Sequence, residues 1–267
     1  MIGCDPEFGY TLLNKEKEKI IFNGNMPPFK TDIIGWDHGG KVVELRPKPG
    51  SPMFVVTQIG LSLRAVDKTF KNHLKGIETI VYHSGGFGEP SSGGHIHIDK
   101  NKNKTINDKM KNAIEKWDKL NFLDCEPGRE SRLGRGYGKH GEYRDDHDKS
   151  IEWRTPSSWL SDPRWAFSIL SVVYSVYFSI DRFEKTVSNH KQFLKFVKST
   201  MSPKEWNLFY PYYNMWNSYR LKNKKLPKDV NMDKWDEFLN KVPRSLKNRA
   251  SNIINKYLED CKINVTV

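Results

Sequence analysis

Several short segments in the first half of the chain alternate polar and apolar residues. This pattern predicts strands at residues 2–13, 19–23, 41–48, 77–83, 93–99 and 149–155, the first two joined by the charged turn NKEKEK. Because successive side chains of a strand point to opposite faces, each strand has one apolar and one polar face. The segments therefore predict a sheet that is buried on one face.

Helical periodicity is found elsewhere in the chain. Ser51-Pro52 is a typical helix start, and the apolar residues after it recur at helical spacing at Val56, Ile59, Leu63, Val66 and Phe70. A second amphipathic helix is predicted after Thr105. From Pro163 onward the pattern is helical, with interruptions expected at Pro203, Pro211, Pro227 and Pro243. We expect a sheet-containing part over residues 1–160 and a helical part over residues 161–267.

The net charge of +12 is concentrated in the helical part, where 19 Lys+Arg stand against 10 Asp+Glu, compared with 25 against 22 in residues 1–160. A basic surface attracts polyanions such as nucleic acid. The lysines are scattered rather than grouped in blocks, which favours an ordinary solvated helical surface.

The cysteines and the uncharged segments bear on the compartment. Cys4, Cys125 and Cys261 are far apart and form no CxxC motif, which is typical of a reducing compartment. The longest uncharged run, residues 165–180, has 16 residues, fewer than the ~20 that span a bilayer. Its serine stripe predicts a buried helix. We expect a cytoplasmic protein without a membrane segment.

Four predicted strands have residues of catalytic type two positions apart. The pairs are Asp5 and Glu7, Glu44 and Arg46, His95 and His97, and Glu152 and Arg154. One such pair is equally typical of an ordinary half-exposed strand. Four pairs of carboxylates, imidazoles and guanidinium groups, with almost no lysine, predict instead that the polar face lines a cleft.

The carboxylates of this face need countercharge. Asp5, Glu7, Glu44 and Glu152 would repel one another in a confined cleft. Carboxylate oxygens with one or two histidines suit Mg²⁺ or Mn²⁺. The sequence therefore predicts a divalent metal site.

The segment RESRLGRGYGKHGEYR at 129–144 precedes the Glu152 strand and is basic. Its arginines at 129, 132, 135 and 144 alternate with four glycines, which predicts a flexible loop that binds phosphate through guanidinium groups. A disordered surface loop is the alternative. The stretch GGFGEPSSGG at 85–94 is a weaker candidate for close approach to a ligand.

These motifs occur in the order GCDPEFGY, DHGGKVVELRPKPG, GGHIHID, RLGRGYGKHGEYR and SIEWRTPSSW. In that order the chain resembles the carboxylate-amine ligases related to glutamine synthetase and glutamate-cysteine ligase, and more narrowly the phage-encoded COOH-NH2 ligases of the amidoligase group. The resemblance covers about 160 residues. It implies an α+β fold, with a curved antiparallel sheet as the catalytic domain (1–160), helices packed on one face and the helical region (161–267) packed on it.

The resemblance also implies roles for individual residues. Asp5, Glu7, Glu44, His95 and Glu152 correspond to the metal ligands, with Asp5 in place of the more usual, longer glutamate. His97 and Arg46 correspond to the nucleotide-binding residues, Arg154 to the arginine that faces the transferred phosphoryl group, and Arg132, Arg135 and Arg144 to the phosphate-binding basic loop.

The implied reaction uses ATP and Mg²⁺, or Mn²⁺, to phosphorylate a carboxylate substrate. An amine of a small molecule, peptide or protein then attacks the acyl phosphate to give an amide. Two alternatives remain open: a metal-dependent phosphoesterase or nuclease, and a non-enzymatic nucleic-acid-binding protein that uses the seven aromatic residues between Trp206 and Tyr219 as stacking platforms. Nucleic-acid binding is the less favoured, because such aromatic runs more often form core.

Overall fold

A computed structural model describes residues 1–20, 26–74, 77–84, 92–118, 120, 129–145, 149–222, 224 and 227–267. Within these ranges, eight strands form one antiparallel sheet in the order β3-β4-β1-β6-β8-β7, with β2 and β5 also paired to β1. The strands are β1 (Ile2–Leu13), β2 (Lys19–Ile20), β3 (Ile34–Asp37), β4 (Val42–Leu45), β5 (Thr79–His83), β6 (Gly94–Asp99), β7 (Tyr143–Arg144) and β8 (Ser150–Trp153).

Helices cover the apolar face of the sheet and make up most of the second half of the chain. They are α1 (Pro52–His73), α2 (Lys104–Asp118), α3 (Arg129–Gly134), α4 (Pro163–Phe178), α5 (Ile180–Thr186), α6 (His190–Thr200), α7 (Pro203–Leu221), α8 (Met232–Lys241) and α9 (Arg244–Asp260). The predicted α+β class, with an antiparallel sheet and helices on it, is confirmed.

The long strand β1 organises the sheet because it pairs along both edges. One edge pairs with β6 and then, further along, with β5, while the other pairs with β4 and then β2. A strand of 12 residues can hold two partners in succession on each side. The polar positions of β1 are therefore placed relative to four neighbouring strands by these pairings.

The apolar face of the sheet and the helices share one hydrophobic core. Phe8 of β1 and Trp153 of β8 are fully buried in it. The Trp153 ring lies 4.6 Å from that of Trp117 on α2, and Tyr10 lies 5.2 Å from Phe70 on α1. The core continues without a break into α4 and α9, so the helical part packs on the sheet. The domain boundary at residue 160 stays a prediction.

Helix starts agree with the sequence signals. Pro52 and Pro163 stand in the first turns of α1 and α4, and Asp162 caps α4 by accepting a hydrogen bond from Arg164 N at 3.0 Å. Ser202 and Glu205 form a capping box at the start of α7.

Three expectations need correction. Pro211 does not interrupt a helix but lies inside α7, where its cost is the loss of one backbone hydrogen bond. Strand β3 lies between the predicted strands 19–23 and 41–48, where no strand was predicted. The segment 129–144 contains helix α3 and strand β7, so it is more ordered than a flexible loop. Of the glycine stretch 85–94, residues 85–91 lie outside the described residues.

No single described helix is both long enough and apolar enough to span a membrane; α4 and α5 pass such a test only together, with a bend of 97° between them. The serines of α4 at 168, 171 and 175 are buried, as the stripe predicted. Helix α4 is therefore a core helix of this fold.

The contact of α1 with α8 depends on a glycine. A Cβ atom on Gly60 would lie 3.0 Å from the Trp235 ring and 3.2 Å from Leu239, both fully buried. We expect Gly60→Val to destabilise the protein by about 1–3 kcal/mol through overpacking. The measurement is the urea midpoint followed by circular dichroism.

Gly134→Val is the matched control, because a Cβ at Gly134 would meet nothing within 4 Å. It should change stability by less than about 0.5 kcal/mol. Equal midpoints for the two variants would show that α1 and α8 tolerate the added volume.

Candidate active site

The strand register brings the predicted pairs together on the polar face. Asp5 lies opposite His95, and Glu7 lies opposite Glu44 on the other edge of β1. Across the next pair of strands, His97 lies opposite Glu152, and Glu152 lies opposite Arg144. Directly opposed residues have Cβ atoms about 4.5–5.5 Å apart, so these side chains form one cluster.

The cluster lines a cleft of about 270 Å³. Its walls consist of Asp5, Glu7, Asp37, Glu44, Gly93, His95, Arg132, Tyr137, Arg144, Glu152 and Arg154. Eight of these were predicted from the sequence as site residues. Asp37 and Tyr137 were not predicted. Asp37 is the last residue of β3, the strand that was not expected. Tyr137 lies in the basic segment, with its ring centre 6.0 Å from the guanidinium carbon of Arg154.

Asp5 is the centre of the contacts. Its Oδ2 accepts a hydrogen bond from His97 Nε2 at 3.1 Å, and its Oδ1 lies 3.5 Å from His95 Nδ1. The same His95 nitrogen lies 3.4 Å from Glu152 Oε1. Two imidazoles thus stand between the carboxylates of Asp5 and Glu152 and screen their repulsion.

Glu7 and Glu44 form a second acidic pair beside this group, and both are buried. Glu7 is held by Gly93, whose backbone N–H donates to its Oε2 at 2.7 Å. A Cβ on Gly93 would lie 2.5 Å from His95 Nε2, so the first position of the GGH motif has no room for a side chain. Glu44 pairs with Arg46, which lies one residue beyond the end of β4.

The electrostatics of the cluster show where charge is costly. Burial raises the pKa of Glu44 to about 8, and the nearby Asp5 carboxylate adds to the rise. Burial also raises the pKa of Glu7. Burial alone would raise the pKa of Asp5, but the contacts with His95 and His97 outweigh it and hold that pKa below its usual range. The hydrogen bond to Asp5 raises the pKa of His97 against the effect of burial.

These groups fit a divalent cation. Ligand atoms of Asp5, His97 and Glu152 all lie within 4.8 Å of one another. The Oδ1 atom of Asp5 is buried and accepts no hydrogen bond from the described part of the chain. Glu44, protonated at neutral pH in the protein alone, would release its proton on binding a cation. Oxygen donors with an imidazole are a set that Mg²⁺ or Mn²⁺ accepts.

The predicted arginines fall into two groups. Arg144 and Arg154 face the cleft and approach Glu152, at 3.2 Å from Oε2 and 3.4 Å from Oε1 respectively. Arg132 is buried and donates to the carbonyl oxygens of Arg154, at 3.1 Å, and Pro156. Arg132 therefore supports the backbone after β8 as well as lining the cleft. Arg135 is exposed and is not part of the cleft wall.

Arg129 also binds the backbone that follows β8. It is buried and donates to the Thr155 carbonyl at 2.9 Å. Three consecutive carbonyls, those of residues 154–156, are thus bound by the two buried arginines of α3. The sequence analysis predicted that these arginines bind phosphate. It did not predict their hydrogen bonds to backbone carbonyl oxygens.

Asp118, at the end of α2, is a positioning residue that the sequence did not single out. Its carboxylate is fully buried, and Oδ2 accepts hydrogen bonds from Gly141 N and Thr155 Oγ1, both at 2.6 Å, and from Trp153 Nε1 at 3.3 Å. Asp118 therefore fixes the end of β8 and the basic segment to one helix. Glu152 and Arg154 lie on either side of Trp153, so the anchor fixes the cleft wall.

The fold and the site together define a mixed α/β protein whose antiparallel sheet presents an acidic, imidazole- and arginine-lined cleft. Residues 2–200 match the family Phage phiEco32-like COOH.NH2 ligase-type 2. The chain belongs to this family and is thus a member of the carboxylate-amine ligases, as the motif order implied.

Among solved structures, the chain is similar to one from the complex between the prokaryotic ubiquitin-like protein Pup and its ligase PafA. The identity is 8%, the TM-score is 0.47, and the match covers 97% of this chain and 65% of that chain, less than two thirds of its length. No curated protein sequence matches this chain.

The anchor leads to a stability prediction. Asp118→Ala would leave the partly buried Gly141 N–H without its acceptor, at about 1–3 kcal/mol, and the Thr155 hydroxyl with only the Lys139 carbonyl at 2.9 Å. Asp118→Asn keeps one acceptor oxygen and should cost less. We expect the melting temperature to fall in the order wild type, Asn, Ala, with faster amide exchange at Gly141 in the Ala variant.

Asp108→Ala, at an exposed position of the same helix, is the control and should leave both quantities near wild type. Unchanged exchange at Gly141 in Asp118→Ala would refute the role of Asp118 as an anchor.

Proposed function

We propose that the protein is an ATP- and Mg²⁺-dependent ligase that joins a carboxylate to an amine through an acyl phosphate. The observation that carries the proposal is the cluster around Asp5, in which ligands for a cation lie directly beside two arginines that face the same cleft. A carboxylate-amine ligase must hold a polyphosphate and its cation against a substrate acid, and this cleft has both kinds of group.

The position of each residue in the cleft suggests its role. Asp5, His97 and Glu152 would hold one cation, with His95 between the two carboxylates, and Glu7 and Glu44 would hold another. Bound cations would offset phosphate charge and orient the polyphosphate. Arg144 and Arg154 stabilise negative charge on the transferred phosphoryl group, because guanidinium groups bind phosphate oxygens in pairs. Arg132 and Asp118 keep these arginines in place.

A phosphoesterase is the second candidate, because carboxylates and histidines around cations also cleave phosphodiesters. A single experiment separates the two functions. The protein is incubated at neutral pH with ATP, Mg²⁺ and a substrate mixture. The mixture contains free amino acids, dicarboxylic acids and tryptic peptides of serum albumin, which together supply carboxylates and amines. The products are analysed by mass spectrometry. Condensation products with loss of water, accompanied by ADP, support the ligase. Cleavage of bis-p-nitrophenyl phosphate without ATP, and no condensation, would overturn it.

Nucleotide binding should require a divalent cation. With Mg²⁺ present, ATP at a hundred times its dissociation constant should stabilise the protein by ~2.7 kcal/mol, and EDTA should abolish the effect. Glu152→Gln should weaken Mn²⁺ binding, measured by calorimetry, because it removes one charged ligand. The exposed Glu237→Gln is the control. Equal stabilisation by ATP with and without EDTA would contradict the metal site.

Arg154 should act mainly in the transition state. Arg154→Ala is expected to lower kcat for ADP formation by roughly 10²- to 10³-fold, the scale of losing one preorganised charge stabiliser, while the KM for ATP changes little. Steady-state kinetics check this, with Arg182→Ala on α5 as a control that stays within a few-fold. A raised KM with unchanged kcat would instead assign Arg154 to ground-state binding.

A further inference from the structure

The polar face of the sheet continues beyond the metal-ligand cluster to a second group of side chains. On β1, Asp5, Glu7, Gly9 and Thr11 share one face because side chains alternate. His83, the last residue of β5, lies opposite Gly9 in the register. The imidazole of His83 is therefore on the same face as Glu7, two residues further along β1, or roughly 7 Å at about 3.4 Å per residue.

The side chains of Thr11, His83 and Asp229 form a hydrogen-bonded row. His83 Nδ1 lies 2.8 Å from Asp229 Oδ1, and His83 Nε2 lies 2.8 Å from Thr11 Oγ1. A carboxylate only accepts hydrogen bonds, so Nδ1 carries a proton. Nε2 faces the Thr11 hydroxyl, and in the tautomer with Nε2 unprotonated it accepts a hydrogen bond from that hydroxyl.

The backbone holds Asp229 in place. The segment around it pairs with the end of β5: Ser84 N donates to the Lys228 carbonyl at 2.7 Å, and Val230 N donates to the Tyr82 carbonyl at 2.9 Å. Asp229 and His83 are 146 residues apart in the chain. These two backbone hydrogen bonds, on either side of the contact between His83 and Asp229, fix the carboxylate against the ring.

Gly9 is the residue of β1 opposite His83. A Cβ atom on Gly9 would meet no atom of the described residues within 4 Å. Glycine at this position leaves space on the polar face next to the imidazole, on the side towards the metal-ligand cluster. A substrate can therefore lie along β1 with one end at Glu7 and the other at His83.

We propose that His83 is the general base that removes a proton from the amine substrate, with Asp229 as its positioning residue. This inference rests on the proposed ligase function. An alkylamine is protonated at neutral pH and has no lone pair for attack. His83 Nε2 takes one proton from the ammonium group, and Asp229 offsets the charge of the resulting imidazolium. The Thr11 hydroxyl occupies the place of the incoming N–H in the free protein.

The rest of the step follows from the acyl phosphate. The amine lone pair forms the C–N bond, and the bond from the acyl carbon to the phosphate oxygen breaks. Its electron pair leaves with inorganic phosphate, which takes the second amine proton. Thr11 forms no covalent bond in this scheme.

The test compares two nucleophiles in the substrate mixture described under the proposed function. Alkylamines in the mixture need a base, whereas added hydroxylamine is already unprotonated at neutral pH. His83→Gln should lower amide formation by about 10²- to 10⁴-fold, the range of general base catalysis, and leave hydroxamate formation within about threefold of wild type. Asp229→Asn should show the same selectivity with a smaller loss.

The control is His73→Gln at the exposed end of α1, which should leave both products unchanged. A parallel loss of both products in His83→Gln, or no loss of either, would overturn the assignment. If the wild type forms neither product, the proposed function fails and this inference with it, whereas the other outcomes leave the ligase function intact.

Long-range ¹⁵N–¹H spectra of the wild-type histidines provide a readout that needs no substrate. We expect His83 to carry its proton on Nδ1. Protonation of Nε2 alone would leave no lone pair facing Thr11 and would contradict the role of His83 as a base.

Discussion

The arrangement of the cleft depends on the pairing of β1 with different strands along its two edges. Asp5 meets β6 on one edge, and Glu7 meets β4 on the other. A shift of one residue in either pairing would move the acidic side chains into the hydrophobic core and Phe8 onto the polar face. The buried face therefore fixes the positions of the charged groups, because Phe8, Cys4 and Ile2 can be buried in only one register.

That register places acidic groups where their charges are costly. Glu7 and Glu44 are opposed directly, and like charges in this position destabilise a sheet. The protein alone meets this cost by two means: the imidazoles stand beside Asp5, and the raised pKa of Glu44 keeps that carboxyl protonated at neutral pH. A site that relieves its repulsion with protons is prepared to exchange them for cations.

The wall formed by β8 is held in place by three buried charged side chains, those of Arg129, Arg132 and Asp118. Arg129 and Arg132 bind successive carbonyls after β8, and Asp118 binds Thr155 and Trp153. Buried charged side chains of this kind are costly unless they are hydrogen-bonded, and here each has backbone or side-chain partners. These contacts give Glu152 and Arg154 a rigid support. Charge stabilisation by preorganised groups requires such rigidity.

The sequence predicted the strands that have strict alternation, because a period of two is a local property. It therefore predicted the four pairs of polar residues and the face that they share. It did not predict β3, a strand of four residues whose pairing with β4 supplies Asp37. Asp118 and Asp229 were also missed, since each acts on a residue far away in the chain and has no local pattern. The buried role of Arg132 was missed because spacing does not distinguish an arginine that binds phosphate from one that binds carbonyl groups.

The kinds of side chain on the polar face change from one side of the sheet to the other, in the order of its strands. Arginines lie at the β8 side, the carboxylates lie in the middle around β1, and the His83 row lies further along β1 beside β5. Guanidinium groups suit the phosphoryl donor, and an imidazole base suits an ammonium group. An acyl group held near Glu7 would then lie between the donor of the phosphoryl group and the attacking amine. The two half-reactions of a ligase need this separation, because the amine attacks the acyl carbon from which the phosphate departs, and the two groups occupy different positions around that carbon.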